Sequence, residues 1–383
     1  MWLFWVLISI TIFWGVSATY DEDSKKKYIT FVFLILGFLM MFRSERVGND
    51  TDVYTYIFKY IAGFRSHAEL WNYIALSRFE TGYVLLNWIL SRISADPQIL
   101  FIISGAFTSI AFGRFIYRYS EIPWLSILMF LTLQFFDLSL TAVRQIIAID
   151  ILLFSYDYIV ERKPVQFLLL VFAATLFHTS SFLFVVVYIA CRKERSGYFY
   201  LFSGLLGFIM FVLFSSVIPI IDRFLPSYTK YFTNAQADSY KTTATLAIVL
   251  MLILWIIMFF IAKYIREDDD IICPEEYAEK DYDEPDDSMM INYRKDFIME
   301  ISVWISIITL LLALRGTILG RFKYVFSSAI LIYYPNSISK CPNISNKKII
   351  TVISAIVFIL YIVIIYTYRP EWQSTYPYSF FWE

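Results

Sequence analysis

Apolar stretches broken by short polar turns recur along the whole chain. They fall near residues 2–19, 28–42, 98–117, 123–137, 139–160, 198–218, 242–263, 297–314, 322–338 and 347–367. An α-helix rises 1.5 Å per residue, so about 20 apolar residues cross the hydrocarbon core of a bilayer, and these runs read as membrane helices. Two stretches depart from the pattern. GYVLLNWILSRIS (82–94) is short and carries Asn87 and Arg92, whereas VQFLLLVFAATLFHTSSFLFVVVYIA (165–190) is long but broken at FHTSS. The first reads as an amphipathic helix along the membrane surface and the second as a broken, re-entrant hairpin. The pattern predicts an all-α polytopic integral membrane protein with about ten to twelve transmembrane helices plus the hairpin, the chain 1–383 forming one transmembrane domain.

Cytoplasmic loops are enriched in Lys and Arg, which orients the helices. With the hairpin returning to its own side, SKKK (24–27), RYSE (118–121), ERK (161–163), CRKER (191–195) and SNKK (345–348) all share the cytoplasmic side. The 43–97 loop with its amphipathic helix, the 219–241 loop, the Arg315–Arg321 turn and the stretch after 367 then face outward. The opening MWLFWVLISITIFWGVSA has no basic residue ahead of its apolar run and reads as a first membrane helix. The stretch 266–296 begins REDDDIICPEEYAEKDYDEPDDSMM, acidic and without periodicity, and predicts a disordered cytoplasmic loop that carries no chemistry.

Composition narrows the function classes. With 59% hydrophobic and only 17% charged residues, a soluble globular enzyme is excluded. Lys and Arg (32) nearly balance Asp and Glu (33), which points away from nucleic acid as a partner. Cys191, Cys273 and Cys341 lack the spacing of a disulfide framework or a zinc site, and there is no Gly-rich phosphate loop, HExxH or GxSxG.

The chemistry must therefore come from polar residues held in apolar surroundings, where each ionisable side chain is costly. Arg144, in LSLTAVRQIIAIDILLF, has no acid within its own helical turn. Its planar fork suits a phosphate; a structural ion pair with Asp137, Asp150 or Glu80 is the alternative. His178 sits at the hairpin break, where a neutral imidazole can accept a proton or merely cap the helix. Glu80, in FETGY, is a carboxylate expected at the membrane interface with its pKa raised by partial desolvation, or else a helix cap together with Thr81. Asp50 and Asp52 resemble a metal-binding DxD, but no Rossmann-like context surrounds them, so no metal site is assigned. Arg43, Arg315 and Arg321 are the further outward arginines that a pyrophosphate pocket would draw on, snorkelling at helix ends being the alternative.

FRSERVGNDTDVY, FETGY, AVRQIIAIDILLF, AATLFHTSSFLF and GRFKYVF together resemble, in the same order, the EpsG family of bacterial exopolysaccharide proteins, themselves similar to Wzy-type polysaccharide polymerases. The resemblance runs from about Phe42 to Tyr334, leaving out the acidic stretch. It implies a membrane glycosyltransferase of GT-C-like architecture in the bacterial inner membrane, working on its extracytoplasmic side. Such an enzyme moves a glycan from an undecaprenyl pyrophosphate-linked donor onto a lipid-linked oligosaccharide acceptor. It uses no cofactor, works among membrane lipids, and stands beside a flippase and a chain-length regulator. On this view Arg144, Arg321 and Arg43 bind the pyrophosphate, and Glu80 or His178 activates the acceptor. Asp50 and Tyr54 position sugars, with Gly48, Thr51, Tyr83, Gln145 and Arg315 as further substrate-binding candidates. An O-antigen-ligase-like transferase and a lipid-linked oligosaccharide flippase are the competing classes.

Overall fold

The computed structural model describes residues 2–17, 21–192, 197–214, 216, 223, 237–267, 287–315, 320–369 and 372–383. Every regular element among them is helical. Four described helices are long and apolar enough to cross a membrane, and a bent pair makes a fifth. That is fewer than the apolar runs predict. Trp2–Ser17, Pro164–Thr175, Thr179–Ala190 and Gly197–Val212 are apolar but shorter than a full span.

By contacts the chain groups into two units, Met1–Phe182 with Asn343–Glu383, and Leu183–Pro342. The first unit holds α1 (Trp2–Ser17), α2 (Glu22–Met41), α3 (Thr51–Ala62), α4 (His67–Leu76), α5 (Thr81–Ile93), α6 (Gln98–Tyr119), α7 (Pro123–Thr132), α8 (Phe135–Thr141), α9 (Val143–Val160) and α10 (Pro164–Thr175). A 3-10 turn, Thr179–Phe184, follows α10 and runs across the boundary at Phe182, and the long helix Ile344–Tyr368 belongs to the first unit. All ten residues of α7 are buried, and α1, α6 and the Ile344–Tyr368 helix pack around it. The α7 and α8 axes differ by 51°, with Gln134 at φ 66° in the break.

Helices α2 and α6 lie antiparallel at close range. Gly105 makes this possible, since a Cβ there would come within 2.8 Å of the Met41 nitrogen, and Ser109 Oγ donates to the Phe33 carbonyl at 2.5 Å. Helix α9 runs parallel to α6, pinned by Thr108 donating to Asp150 at 2.7 Å and by Arg114, Arg118 and Tyr119 on the Asp157 carboxylate. Lys25 over the Tyr117 ring marks the same end of the unit as Arg118, Asp157 and the Glu161–Lys163 pair. SKKK, at the start of α2, and the RYSE and ERK turns therefore gather at one end of this unit.

At the opposite end, the 43–97 stretch is more than a loop with one amphipathic helix. It folds as α3, α4 and α5 over a core of Tyr54, Phe58, Leu70, Tyr83 and Phe101. Residues 372–383 are strapped across the turn that follows α2. Arg43 and Phe380 form an antiparallel bridge, Ser44 N donates to the Ser379 carbonyl at 3.0 Å, and Gly48 N donates to that of Ser374 at 2.9 Å. Gly48 is required here: its φ is +95° and a Cβ would lie 2.3 Å from the Leu140 carbonyl oxygen. The same segment reaches Asp137, which accepts from Thr375 Oγ1 at 2.7 Å and Tyr366 Oη at 2.8 Å.

The second unit contains α11 (Val185–Ala190), α12 (Gly197–Val212), α13 (Ala237–Glu267), α14 (Asp287–Ala313), α15 (Gly320–Ser327) and α16 (Ile330–Ser339), and makes Ile344–Tyr368 the seventeenth helix, α17. The expectation of disorder through 266–296 is corrected at both ends. α13 runs on to Glu267, and α14 starts at Asp287. Asp296, at the end of the stretch, pairs with Arg266 at 3.0 Å and with Lys340, and Glu300, one turn further along α14, pairs with Lys263 at 3.4 Å and accepts from Tyr200 at 2.6 Å. Residues 268–286 lie outside the described residues.

Candidate active site

Three motifs far apart in sequence converge in the first unit, at the end away from the basic loops. Glu80 ends the turn before α5, Arg144 opens α9, and His178 follows α10. Backbone contacts set them together. Gly82 N donates to the Leu176 carbonyl at 2.8 Å, and a Cβ on Gly82 would meet that same oxygen at 2.8 Å, so the Gly-Tyr pair of FETGY lets α5 start against the end of α10.

The Glu80 carboxylate joins the three segments. Oε2 accepts from Arg144 Nη1 at 2.5 Å. Oε1 accepts from the Thr179 amide at 3.3 Å, and His178 Nδ1 stands 3.6 Å from it, just beyond hydrogen-bond length. The Arg144 guanidinium lies over the Phe79 ring at 4.9 Å and near that of Tyr83 at 5.9 Å, and Tyr54 adds a hydrogen bond. Its Nε is buried with no partner. The side chains of Arg144, Glu80 and His178 keep 19%, 15% and 13% of their surface exposed, so the cluster is shielded yet reachable.

Of the three acids offered to Arg144 by the sequence, Glu80 is the one that pairs with it. Asp137 and Asp150 are held instead by hydroxyls. Glu80 occupies the N-cap position of α5 but makes no capping bond, its side chain being turned to Arg144. The expectation that its pKa is raised is reversed. Burial pushes the carboxyl up, but His178 and the charge of Arg144 outweigh it and hold it at about 2. The folded value lies below the ordinary 4.5, so the stabilisation from this group is complete above pH 4.5 and is lost as pH falls toward about 2. Glu80→Gln is therefore expected to lower the melting temperature by a constant amount at neutral pH, with the gap to the parent closing below about pH 4.5. Thermal melts across pH measure it, and a gap that stays constant through this range would show that the pair stabilises nothing.

The other predicted residues divide by location. Tyr54 and Tyr83 are buried beside the cluster, their rings 5.8 Å apart. Gln145 is buried in α9. Gly48 and Thr51 serve the strap: Thr51 Oγ1 donates to the Val47 carbonyl at 2.6 Å and approaches that of Leu140 at 3.3 Å. Asp50 is the N-cap residue of α3 and is half-buried. Arg43 is fully buried, donating to the Met40 carbonyl at 2.6 Å and lying 4.4 Å from the Phe101 ring centre. Burial pushes its guanidinium down to about 10, which leaves it charged at neutral pH. Arg315 and Arg321 belong to the second unit. Arg315 covers the Phe211 ring at 4.3 Å and donates to the Phe211 carbonyl at 2.8 Å, and Arg321 is exposed on α15. Phe79, the first residue of FETGY, forms the surface under Arg144, a role that nothing in its sequence position marks.

Among the described residues the chain is an all-α membrane protein that holds an arginine, a carboxylate and a histidine together at one end of its first unit. The particular family is settled by comparison: residues 26–380 match the EpsG family, and the chain belongs to it. It is thereby a polysaccharide polymerase of the general Wzy-like kind. No curated protein and no solved structure matches the chain.

Proposed function

We propose that the protein polymerises lipid-linked repeat units at the outer face of the bacterial inner membrane, with the Glu80–Arg144–His178 cluster as its active site. The donor is a glycan on undecaprenyl pyrophosphate, and the acceptor is the terminal sugar of a second lipid-linked unit. An acceptor hydroxyl oxygen bonds to the donor's anomeric carbon while the bond from that carbon to the pyrophosphate oxygen breaks. The hydroxyl proton passes to His178, and the departing pyrophosphate takes up the electron pair. A flippase that delivers the units and a chain-length regulator are the expected partners.

One observation carries the reading: a single carboxylate holds a guanidinium on one oxygen and faces an imidazole from the other. An ionised Glu80 with its pKa at about 2 has too little proton affinity to serve as the base, so that role falls to His178. Glu80 instead orients Arg144, whose Nε makes no bond within the protein, for a pyrophosphate in a site largely shielded from water. The placement of the basic loops at the opposite end supports an outward-facing site under the rule that such loops stay in the cytoplasm.

The test is to incubate the purified protein with a defined lipid-linked repeat unit and to resolve the products on a gel. A ladder of lengthening glycans is expected. Intact units that merely cross a vesicle membrane would identify a flippase, and units left unjoined to one another but transferred once to a different added acceptor would identify a ligase; either outcome overturns the proposal.

A further inference from the structure

A second site lies in the first unit, apart from the Arg144 cluster, in a cavity of about 480 Å³ between the turn after α2, helix α3, the start of α6 and residues 379–383. Its size falls in the range of small-ligand sites. Three carboxylates (Glu45, Asp96, Glu383) and two cations (Arg46, Lys59) line it, so its charge nearly cancels and it offers no preference to a pyrophosphate. What it offers is a mixture of hydrogen-bonding groups and aromatic rings. Phe381 is 46% exposed and its ring stacks on that of Phe42 at 6.0 Å. The ring of Phe101, which also lines the cavity, carries the Arg43 guanidinium, whose Nε and Nη2 are buried without a partner.

Thr55 is the telling residue. It lines the cavity, is 6% exposed, and its Oγ1 is buried with no hydrogen-bond partner. A buried hydroxyl left unpaired costs free energy, which a ligand would relieve once the Thr55 side chain turns its Oγ1 from its buried position toward the cavity. A neutral ligand rich in hydroxyl groups, with apolar C–H faces to lay on a phenyl ring, satisfies everything this cavity presents. That is the chemistry of a saccharide.

We propose that this cavity binds the glycan part of the substrate, with residues 379–383 forming one wall and Thr55 and Phe381 as recognition residues. The assignment rests on the polymerase reading for the identity of the glycan. It joins the cavity to the reaction through α3, because Tyr54 reaches Arg144 while its neighbour Thr55 lines the sugar site. A sugar chain held here keeps its reacting end near the Glu80–Arg144 pair while the lipid stays in the membrane.

Saturation-transfer NMR on the full chain in nanodiscs tests the cavity separately from catalysis, using as probe the free oligosaccharide released by mild acid from the lipid-linked unit. Transfer to sugar protons is expected with the parent protein and equally with Arg144→Lys, which keeps the charge that Glu80 pairs with. Thr55→Val removes a hydroxyl to which no protein group is bonded, so folding should be unaffected while affinity falls about fivefold. Phe381→Ala, at an exposed ring, should also weaken the signal. In turnover with the lipid-linked unit, Thr55→Val should raise KM and leave kcat unchanged. Absence of transfer in the parent, or unchanged affinity in both variants, would overturn the glycan site. Sugar binding without any ladder would instead overturn the polymerase reading and leave the glycan site standing.

Discussion

Arg144→Ala is expected to lower polymer formation by about 10²- to 10³-fold, the loss typical when one fixed donor to a developing negative charge is removed. Two effects contribute. The pyrophosphate loses the guanidinium that stabilises its departure, and Glu80, largely shielded, is left without its cation. The second effect also destabilises the fold, because removing one partner of a shielded ion pair strands the other charge. Arg144→Lys separates the two. A lysine keeps the positive charge for Glu80 but lacks the planar fork that can serve a carboxylate and a phosphate at once. The melting temperature of Arg144→Lys should therefore lie near that of the parent while its turnover stays at least tenfold down. A well-folded Arg144→Lys protein that polymerises at the parental rate would rule out the fork as a pyrophosphate ligand.

His178→Ala is expected to have the second largest effect. Loss of a positioned proton acceptor typically slows a reaction by 10²- to 10⁴-fold. His178 makes no hydrogen bond through Nδ1, so its removal should disturb the fold less than removal of Arg144. Imidazole added to the medium should restore part of the rate in His178→Ala and none of it in Arg144→Ala, since only the former lacks a base. Turnover of His178→Ala close to the parent, or a loss that imidazole leaves untouched, would show that the histidine is structural and that the acceptor proton goes elsewhere.

The residues that build the cluster could be picked out of the sequence because each breaks an apolar pattern: an arginine inside a span, a histidine at a helix break, a glutamate before a Gly-Tyr pair. The pairing between them could not be picked out. Asp137, Asp150 and Glu80 were equal candidates for Arg144, and the choice depends on which helix ends meet. The Gly82–Leu176 contact settles that by bringing α5 to the end of α10. The same contact explains why the Glu80 pKa falls when the interface alone would raise it: the neighbours, not the burial, decide the sign.

Two further features left no trace in hydrophobic periodicity. Residues 372–383 lie more than 300 positions from the turn they cover, and their contacts are backbone bonds and aromatic rings that any aromatic-rich stretch could make. The acidic run that begins at Arg266 pointed to solvent, whereas Asp296 and Glu300, just beyond it, pair with Arg266, Lys263 and Lys340 from other helices of their unit. Composition reports charge, but only the packing supplies its partners. Arg315 and Arg321 join Arg144 in the sequence reading as outward arginines at helix ends, and they belong to the second unit.

The most direct measurement counts two products in one reconstituted reaction: glycosidic bonds formed and undecaprenyl pyrophosphate released. One carrier released per bond is expected in the parent protein, with both rates falling together by about 10²-fold or more in Arg144→Ala. Bond formation in Arg144→Ala at the parental rate, or chains that lengthen without release of the carrier, would contradict the assignment of polymerisation to this cluster.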